Sequence, residues 1–408
     1  MALQGCASFK PKPIDEVPFK KHAQTKADGA LRVSCAILTN EESKAIFDID
    51  LAPKWIQTVW IEVENNDVRP YWLLSSAVDS DYYAPDEVAY SSRFFMSEKT
   101  NEEMVKYFRK LTFINPIFPG TVRSGFMFVN LDEGDKEVNV ELLAAERLKN
   151  FTFFFSVPGL RAHSFIYAET HYPIGQIREV DEEELRLALQ KMPCCTTNKD
   201  RTVNGDPLNL VLIGNAEDLF PAFVRRAWHP AEESYSGSIW KTIKSFLFGK
   251  RYRYSPVSPL YLFGRKQDVA LQKARGSIHQ RNHLRLWITP LRFKGKDVWV
   301  GQISRDIGIR YTTKSPYLVT HKIDPDVDEA RNALSQDMLF SQGLVQLGYV
   351  KGVSLSTPAQ PKKNLTNDTY FTDGLRAVLL FDRSQTPIRK VRFFDWDMTP
   401  PSARELDP

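Results

Sequence analysis

From residue 31 to residue 157 the apolar positions fall in short runs of β-branched and aromatic residues. Arg32–Leu38, Trp55–Glu64 and Arg69–Ser75 are such runs, broken by Asn/Asp turns such as Asn65-Asn66-Asp67. Val59-Trp60-Ile61-Glu62-Val63 alternates in part, which predicts strands joined by tight connections. Gly125–Leu131, Lys136–Glu141 and Phe151–Val157 continue the series, with Asp132-Glu133-Gly134-Asp135 as the turn between the first two. Phe154 lies between Phe153 and Phe155, so the last of these strands has two apolar faces. Helical spacing interrupts at 98–111, where Met104, Phe108 and Leu111 share a face. Ser97 or Thr100 can cap that helix, and Glu102 and Glu103 sit in its first turn. Residues 31–175 therefore read as an antiparallel β-sandwich-like domain with one or two inserted helices.

The pattern changes in the second half. Residues 181–191 predict a short acidic helix, and the polar, turn-rich stretch Pro193–Pro207 predicts a domain boundary. Leu208–Gly214 predicts a buried strand, Asn215 the cap of a helix that Pro221 starts or kinks. Strands at Pro259–Phe263, His283–Thr289, Val298–Ile303 and Ala377–Phe381, with a helix at 327–346, complete a mixed domain. The fold class expected is α+β. It has a tether over 1–30, a sandwich-like domain over 31–180 and a mixed α/β domain over 200–405.

Composition is ordinary for a globular chain of 408 residues, with 42% hydrophobic and 25% charged. The net charge of +4 hides a split. Residues 1–200 hold 23 Lys/Arg against 30 Asp/Glu, whereas residues 239–314 alone hold 17 basic and 3 acidic residues. No run of 18 apolar residues exists, so no helix spans a membrane. The four cysteines are Cys6, Cys35, Cys194 and Cys195, too few for a disulfide scaffold. The adjacent Cys194 and Cys195 can form a vicinal disulfide, stay as thiols, or pair one member with Cys35. Leu3-Gln4-Gly5-Cys6 has the form of a bacterial lipobox tail, which makes Cys6 a candidate for lipidation, and the Lys/Pro-rich Phe9–Ala30 suits a tether. The basic and apolar leader such a signal needs is missing from Met1 onward, so either it lies upstream of Met1 or the match is chance in a cytosolic protein with a frayed N-terminus. Ala7 after the cysteine points to the outer membrane by the usual sorting pattern.

The densest chemistry lies in Ser277–Trp287. On a strand, His279, Arg281, His283, Arg285 and Trp287 share one face, and Leu284, Leu286 and Ile288 face the core. Forked guanidinium donors match phosphate or carboxylate, and histidine donates or transfers a proton near neutral pH. The row is thus an anion-binding or catalytic strand, or else a solvated polar face paired to acids elsewhere. Phe293-Lys294-Gly295-Lys296 predicts a hairpin that brings Ser304, Arg305 and Asp306 back toward His283. Asp306 either orients a histidine or pairs with Arg281. His279 and His283 would be about 13 Å apart, too far to share a zinc. Asp324, Asp326 and Asp328 start like a calcium loop, but Glu329 stands where the loop needs glycine. Asp326 reads better as a helix cap. In Ile239–Tyr254, Ile239, Trp240, Ile243, Phe246 and Leu247 share a helical face flanked by Lys241 and Lys244 and followed by a basic aromatic tail, fitting either an anionic membrane surface or the cover of the domain's own core. Leu208–Asn215 enters a helix without any phosphate-loop glycine pattern, and no nucleic-acid module fits. Neither a metal nor a cofactor is implied.

Asp206-Pro207-Leu208-Asn209-Leu210-Val211, Trp228-His229-Pro230, Ser258–Arg265, Asp268, Arg281–Trp287, Trp299-Val300-Gly301, Arg305–Gly308 and His321-Lys322-Ile323-Asp324 together resemble the LssY C-terminal domain, over about 204–352. The resemblance implies a bacterial envelope setting, because members are fused to membrane domains of the DedA or phosphatidic-acid-phosphatase type or stand alone as lipoproteins. It implies no catalytic assignment. The expected activity is therefore binding of a phosphate-bearing ligand or anionic lipid through Arg265, His279, Arg281, Arg285 and Arg305. The alternatives are a phosphoesterase using His283 or His321 with Asp306 or Asp324, and a structural envelope protein whose acidic half docks on its basic half.

Overall fold

The computed structural model describes residues 9–92, 97–131, 134–157, 168–231, 259–274, 281–311 and 319–396. The chain is α+β and divides into two compact units, Met1–Arg161 and Ala162–Pro408.

The first unit holds strands β1 (Gln24–Asp28), β2 (Leu31–Ile37), β3 (Ile56–Asn65), β4 (Trp72–Leu73), β5 (Thr121–Asn130), β6 (Gly134–Ala144) and β7 (Arg147–Val157). β1-β2-β3-β5 form one antiparallel sheet and β4-β6-β7 another. Val33, Cys35, Ile61 and Val63 of the first sheet pack on Val138, Val140, Phe151 and Phe153 of the second, which makes the expected sandwich. The opposite face of the first sheet is covered too. Ala36, Trp60, Phe126 and Phe128 bury Ile46 and Phe47 of helix Asn40–Phe47 and Met104 and Phe108 of helix Glu98–Leu111. Ser97 caps the latter helix as expected, accepting from the Thr100 N–H.

Two expectations fail here. Residues 9–30 are not a tether. Val17 and Phe19 are buried, and the Phe19 ring centroid lies 5.6 Å from Trp60 and 5.5 Å from Phe126. Phe9, Ile14 and Ala23 pack on the same cluster, and Gln24–Asp28 pairs with β2, so aromatic burial and strand pairing together fix the segment. Arg69–Ser75 gives only the two-residue β4, because helix Ser75–Val78 takes over.

The second unit starts with β8 (Arg178–Glu179), β9 (Cys195–Thr197), β10 (Asn204–Pro207), β11 (Leu210–Ile213), β12 (His229–Pro230), β13 (Tyr261–Leu262), β14 (Arg265–Lys266) and β15 (Val269–Ala274). It continues with β16 (Arg281–Phe293), β17 (Lys296–Tyr311), β18 (Val319–Ile323), β19 (Leu344–Lys351), β20 (Lys362–Lys363), β21 (Thr369–Tyr370), β22 (Leu375–Phe381) and β23 (Arg392–Phe393). The main sheet runs β12-β15-β16-β17-β11-β22-β19-β23, with β18 on the far half of β17 and β8 beside β16. β11 and β22 are parallel, and β15-β16-β17-β11 are antiparallel. The β16–β17 hairpin closes at Lys294-Gly295, both with positive φ (54° and 71°), the conformation a two-residue turn between twisted strands requires.

β8 pairs with β16, and helix Glu182–Lys191 buries Leu185 and Leu189 against Val211, Ile213 and Val378. Residues 168–192 therefore belong with the second unit, and the expected boundary at 193–207 falls inside it. Helix Val327–Phe340 is shorter than the expected 327–346, because Leu344 starts β19. Pro221 lies inside helix Ala216–Arg225, which Asn215 caps. Among the described residues no helix is long and apolar enough to cross a membrane.

Candidate functional site

Period-two alternation along β16 and β17 builds the site. Leu284, Leu286 and Ile288 enter one core with Trp299 and Ile303, together with Leu219 and Phe223 of helix Ala216–Arg225 and Leu334 and Met338 of helix Val327–Phe340. Arg281, His283, Arg285 and Trp287 take the other face, in register with Ser304 opposite His283, Gln302 opposite Arg285 and Val300 opposite Trp287. That face is apolar at one end, where Trp287 and Val300 pack on Leu208, Leu260 and Leu262, and polar at the other. β15 extends the polar end by placing Gln272 beside His283.

The polar end is covered. Arg281, His283 and Arg285 are 3%, 4% and 7% exposed, so the row is no solvated face. Polar groups taken out of water need partners. Asp306 supplies a shared carboxylate: its Oδ2 lies 2.5 Å from His283 Nε2 and 3.5 Å from Arg281 Nε. Both readings of Asp306, as orienter of a histidine and as ion-pair partner of Arg281, therefore hold. A carboxylate only accepts, so the Nε2 of a neutral His283 carries the proton. Arg281 Nη1 donates to Gln272 Oε1 at 2.9 Å, and Arg285 Nη1 to Gln302 Oε1 at 2.8 Å. From β10, Asp206 faces Arg285 electrostatically and accepts from Asn364 Nδ2 at 2.8 Å.

Arg285 fixes the Gln302 amide by occupying its oxygen, which turns Nε2 the other way. Gln302 is fully buried, and its Nε2 has no hydrogen-bond partner among the described residues. A buried donor left unmatched costs about 1–3 kcal/mol.

Burial dominates the electrostatics. It pushes His283 down to about 3 in spite of the Asp306 contact, and Arg281 and Arg285 add to the shift, so the imidazole is neutral at neutral pH. Burial lowers Arg285 to about 10, still charged, and lowers Arg281 while Asp306 opposes. Burial raises Asp206. The row thus sets two guanidinium ions and a neutral imidazole around the Asp306 carboxylate.

The other expected site residues lie apart from this row. Arg265 binds Asp268 through both Nε (2.8 Å) and Nη2 (2.9 Å), and Nη2 also donates to the Ile288 carbonyl. It acts as a cross-brace at the far end of β16. Arg305 is on the opposite face of β17, donating to Asn282 Oδ1 at 3.2 Å. Asp324 accepts from the Asp326 N–H in the turn before helix Val327–Phe340. Asp326 is that helix's N-cap, and Asp328 is buried against Arg331 rather than free at a helix end. His321 is in β18, at register with Ile309. Cys6, His279, the His321 side chain and Ile239–Tyr254 lie outside the described residues. Among the described residues no three His, Cys, Asp or Glu side chains group as a metal site.

Gln272, Gln302 and Asn364 belong to the site and carried no sequence signal of their own, while Asp206 stood at the head of the motif Asp206–Val211 without a role. Gln302 was reachable by counting back two residues from Ser304 across the hairpin. Asp206 and Asn364 were not, because they arrive from distant segments.

Comparison with known families places residues 188–375 in the family described as LssY C-terminus, a stretch that reaches from the end of helix Glu182–Lys191 to the first residue of β22 and includes the whole buried row. No curated protein matches the chain.

Proposed function

Residues 188–375 are an LssY C-terminal domain, and we propose that this domain binds the phosphate or other oxyanion group of a ligand at Arg281, His283, Arg285 and Gln302. The observation that carries the reading is the buried Gln302 Nε2, which lacks an acceptor beside a charged guanidinium. An oxyanion seated there supplies the acceptor and gains charge-assisted hydrogen bonds from arginine. Arg281, His283, Arg285 and Gln302 are all buried, so entry requires the covering segments to part, which favours a compact head group. The surrounding excess of basic residues in 239–314 draws anions toward the domain.

In this reading the protein works in a bacterial envelope, anchored through Cys6. Leu3-Gln4-Gly5-Cys6 supports the anchor. Mass spectrometry of protein extracted from membranes finds a diacylglyceryl adduct on Cys6 if that part is right, and an unmodified cysteine if it is not.

The binding test is calorimetric titration of the full chain with inorganic phosphate and with phenyl phosphate at two salt concentrations, alongside vesicles of phosphatidic acid and of phosphatidylcholine. Saturable, salt-weakened binding that drops at least about tenfold in Arg285→Gln supports the proposal. Absence of phosphate binding, with equal binding to neutral and anionic vesicles, refutes it.

One observation favours a hydrolase as the second reading: the 2.5 Å contact that aligns His283 on Asp306, the arrangement of a general base held by a carboxylate. Turnover of generic phosphoesters, abolished in His283→Ala, selects that reading, and binding without turnover selects the first.

A further inference from the structure

The cysteine pair next to the buried row is joined. Cys194 and Cys195 form a vicinal disulfide, whereas Cys35 is a free thiol buried in the other unit, where burial pushes its pKa up. A disulfide between neighbours closes no chain loop, so it removes little entropy from the unfolded state and adds little stability by that route. Its place in the structure is more telling. Cys195 starts β9 and sits opposite Pro207 of β10. The Cys194 carbonyl accepts from the Leu208 N–H at 2.9 Å. One residue on, Thr196 Oγ1 donates to the Asp206 carbonyl at 3.1 Å.

The chain before the pair is held rigidly. Arg376 donates to the carbonyls of Leu189, Met192 and Pro193, and also to those of Leu208 and Gly352. A change of peptide geometry at 194–195 therefore cannot be absorbed toward helix Glu182–Lys191. It passes across the β9–β10 pairing to Asp206, the carboxylate that faces Arg285.

We infer that Cys194–Cys195 is a thiol-exchange site for a dithiol reductant, and that its redox state sets how firmly β10 holds Asp206 against Arg285. Regulation of the row rests on the binding function proposed above. Cys194 is the part-exposed residue of the pair and Cys195 the buried one, which makes Cys194 Sγ the point of attack in this inference. A reductant thiolate attacks Cys194 Sγ, the Cys194–Cys195 bond breaks, and Cys195 leaves as a thiolate that takes up a proton. The second reductant thiolate then attacks the reductant sulfur of the mixed disulfide and releases Cys194, which is protonated in turn. Two electrons and two protons end on the protein, and the reductant ends as its own disulfide.

The experiment uses the full chain, air-oxidised and reduced with dithiothreitol, with Cys194→Ser/Cys195→Ser as a form that cannot cross-link. Hydrogen exchange over 204–208 and calorimetric phosphate titration are measured on each. Exchange at Leu208 about fivefold faster in the reduced form, with phosphate affinity about fivefold weaker and the double variant indifferent to reductant, is the expected result. Exchange over 204–208 that is the same in both forms, or a disulfide that excess dithiothreitol leaves intact in the folded chain, overturns the inference. Altered exchange with phosphate bound by neither form upholds the exchange site and overturns the binding function instead.

Discussion

Acidification should destabilise the second unit through His283. In the unfolded chain a histidine titrates near 6.5; in the folded protein burial holds His283 at about 3. Between these values the unfolded chain binds one more proton than the folded one, so stability falls as pH drops. The contribution of His283 is full above about pH 6.5 and is lost progressively as pH falls toward 3. At pH 5 the loss comes to about 2 kcal/mol, and near pH 4 to about 3 kcal/mol. Urea unfolding followed by the emission of the buried Trp228, Trp287 and Trp299 reads it. Wild type should lose about 2 kcal/mol more than His283→Gln between pH 7.5 and 5. Acid-sensitive groups that do not touch His283 cancel in the difference, and the glutamine amide keeps a donor for Asp306. NMR of the His283 ring gives a second readout that does not depend on the variant's folding, and the ring should stay neutral at pH 5. Equal acid sensitivity in both proteins, or a ring that titrates near 6.5, would contradict a His283 kept neutral by burial.

Further outcomes follow from the same geometry. Asp306→Asn removes the carboxylate shared by His283 and Arg281 while keeping the shape, and should cost about 3–5 kcal/mol by urea unfolding, since Arg281 is then a buried charge without its counter-ion. Asp328 is raised to about 6 by desolvation, ahead of the opposing pull of Arg331. For a carboxyl raised in the folded state, stability is full below its unfolded value near 4 and is lost as pH rises to about 6. Relative to wild type, Asp328→Asn should therefore gain stability as pH rises from 4 to 6, and a difference that stays constant across that range would count against it. Phe19→Ala should destabilise the first unit by about 3–5 kcal/mol, measured as a shift in its urea midpoint, whereas a tether residue would shift nothing.

Local periodicity made the strand faces legible. The alternation Leu284/Leu286/Ile288 against Arg281/His283/Arg285 is written in the sequence, and so is the turn that returns Asp306 to His283. The burial of the row was not legible. The face is closed by distant segments, with Leu208, Leu260 and Leu262 packed on Trp287 at its apolar end and Asp206 with Asn364 supplying a carboxylate at its polar end. A solvated and a covered polar face share one alternation, so only tertiary packing separates them. Arg265 illustrates the converse. Its charge suggested an anion donor, but Asp268, three residues on, satisfies it internally. The N-terminal segment misled for a similar reason, since Val17 and Phe19 follow no period and declare their role only against Trp60 and Phe126.

Crystals of the full chain soaked with tungstate or phosphate test the binding reading most directly. The oxyanion should appear with an oxygen about 3 Å from Gln302 Nε2 and a second oxygen within reach of the Arg285 guanidinium. A buried row that stays free of the anion at saturating concentration, with Gln302 Nε2 still unmatched, would contradict it.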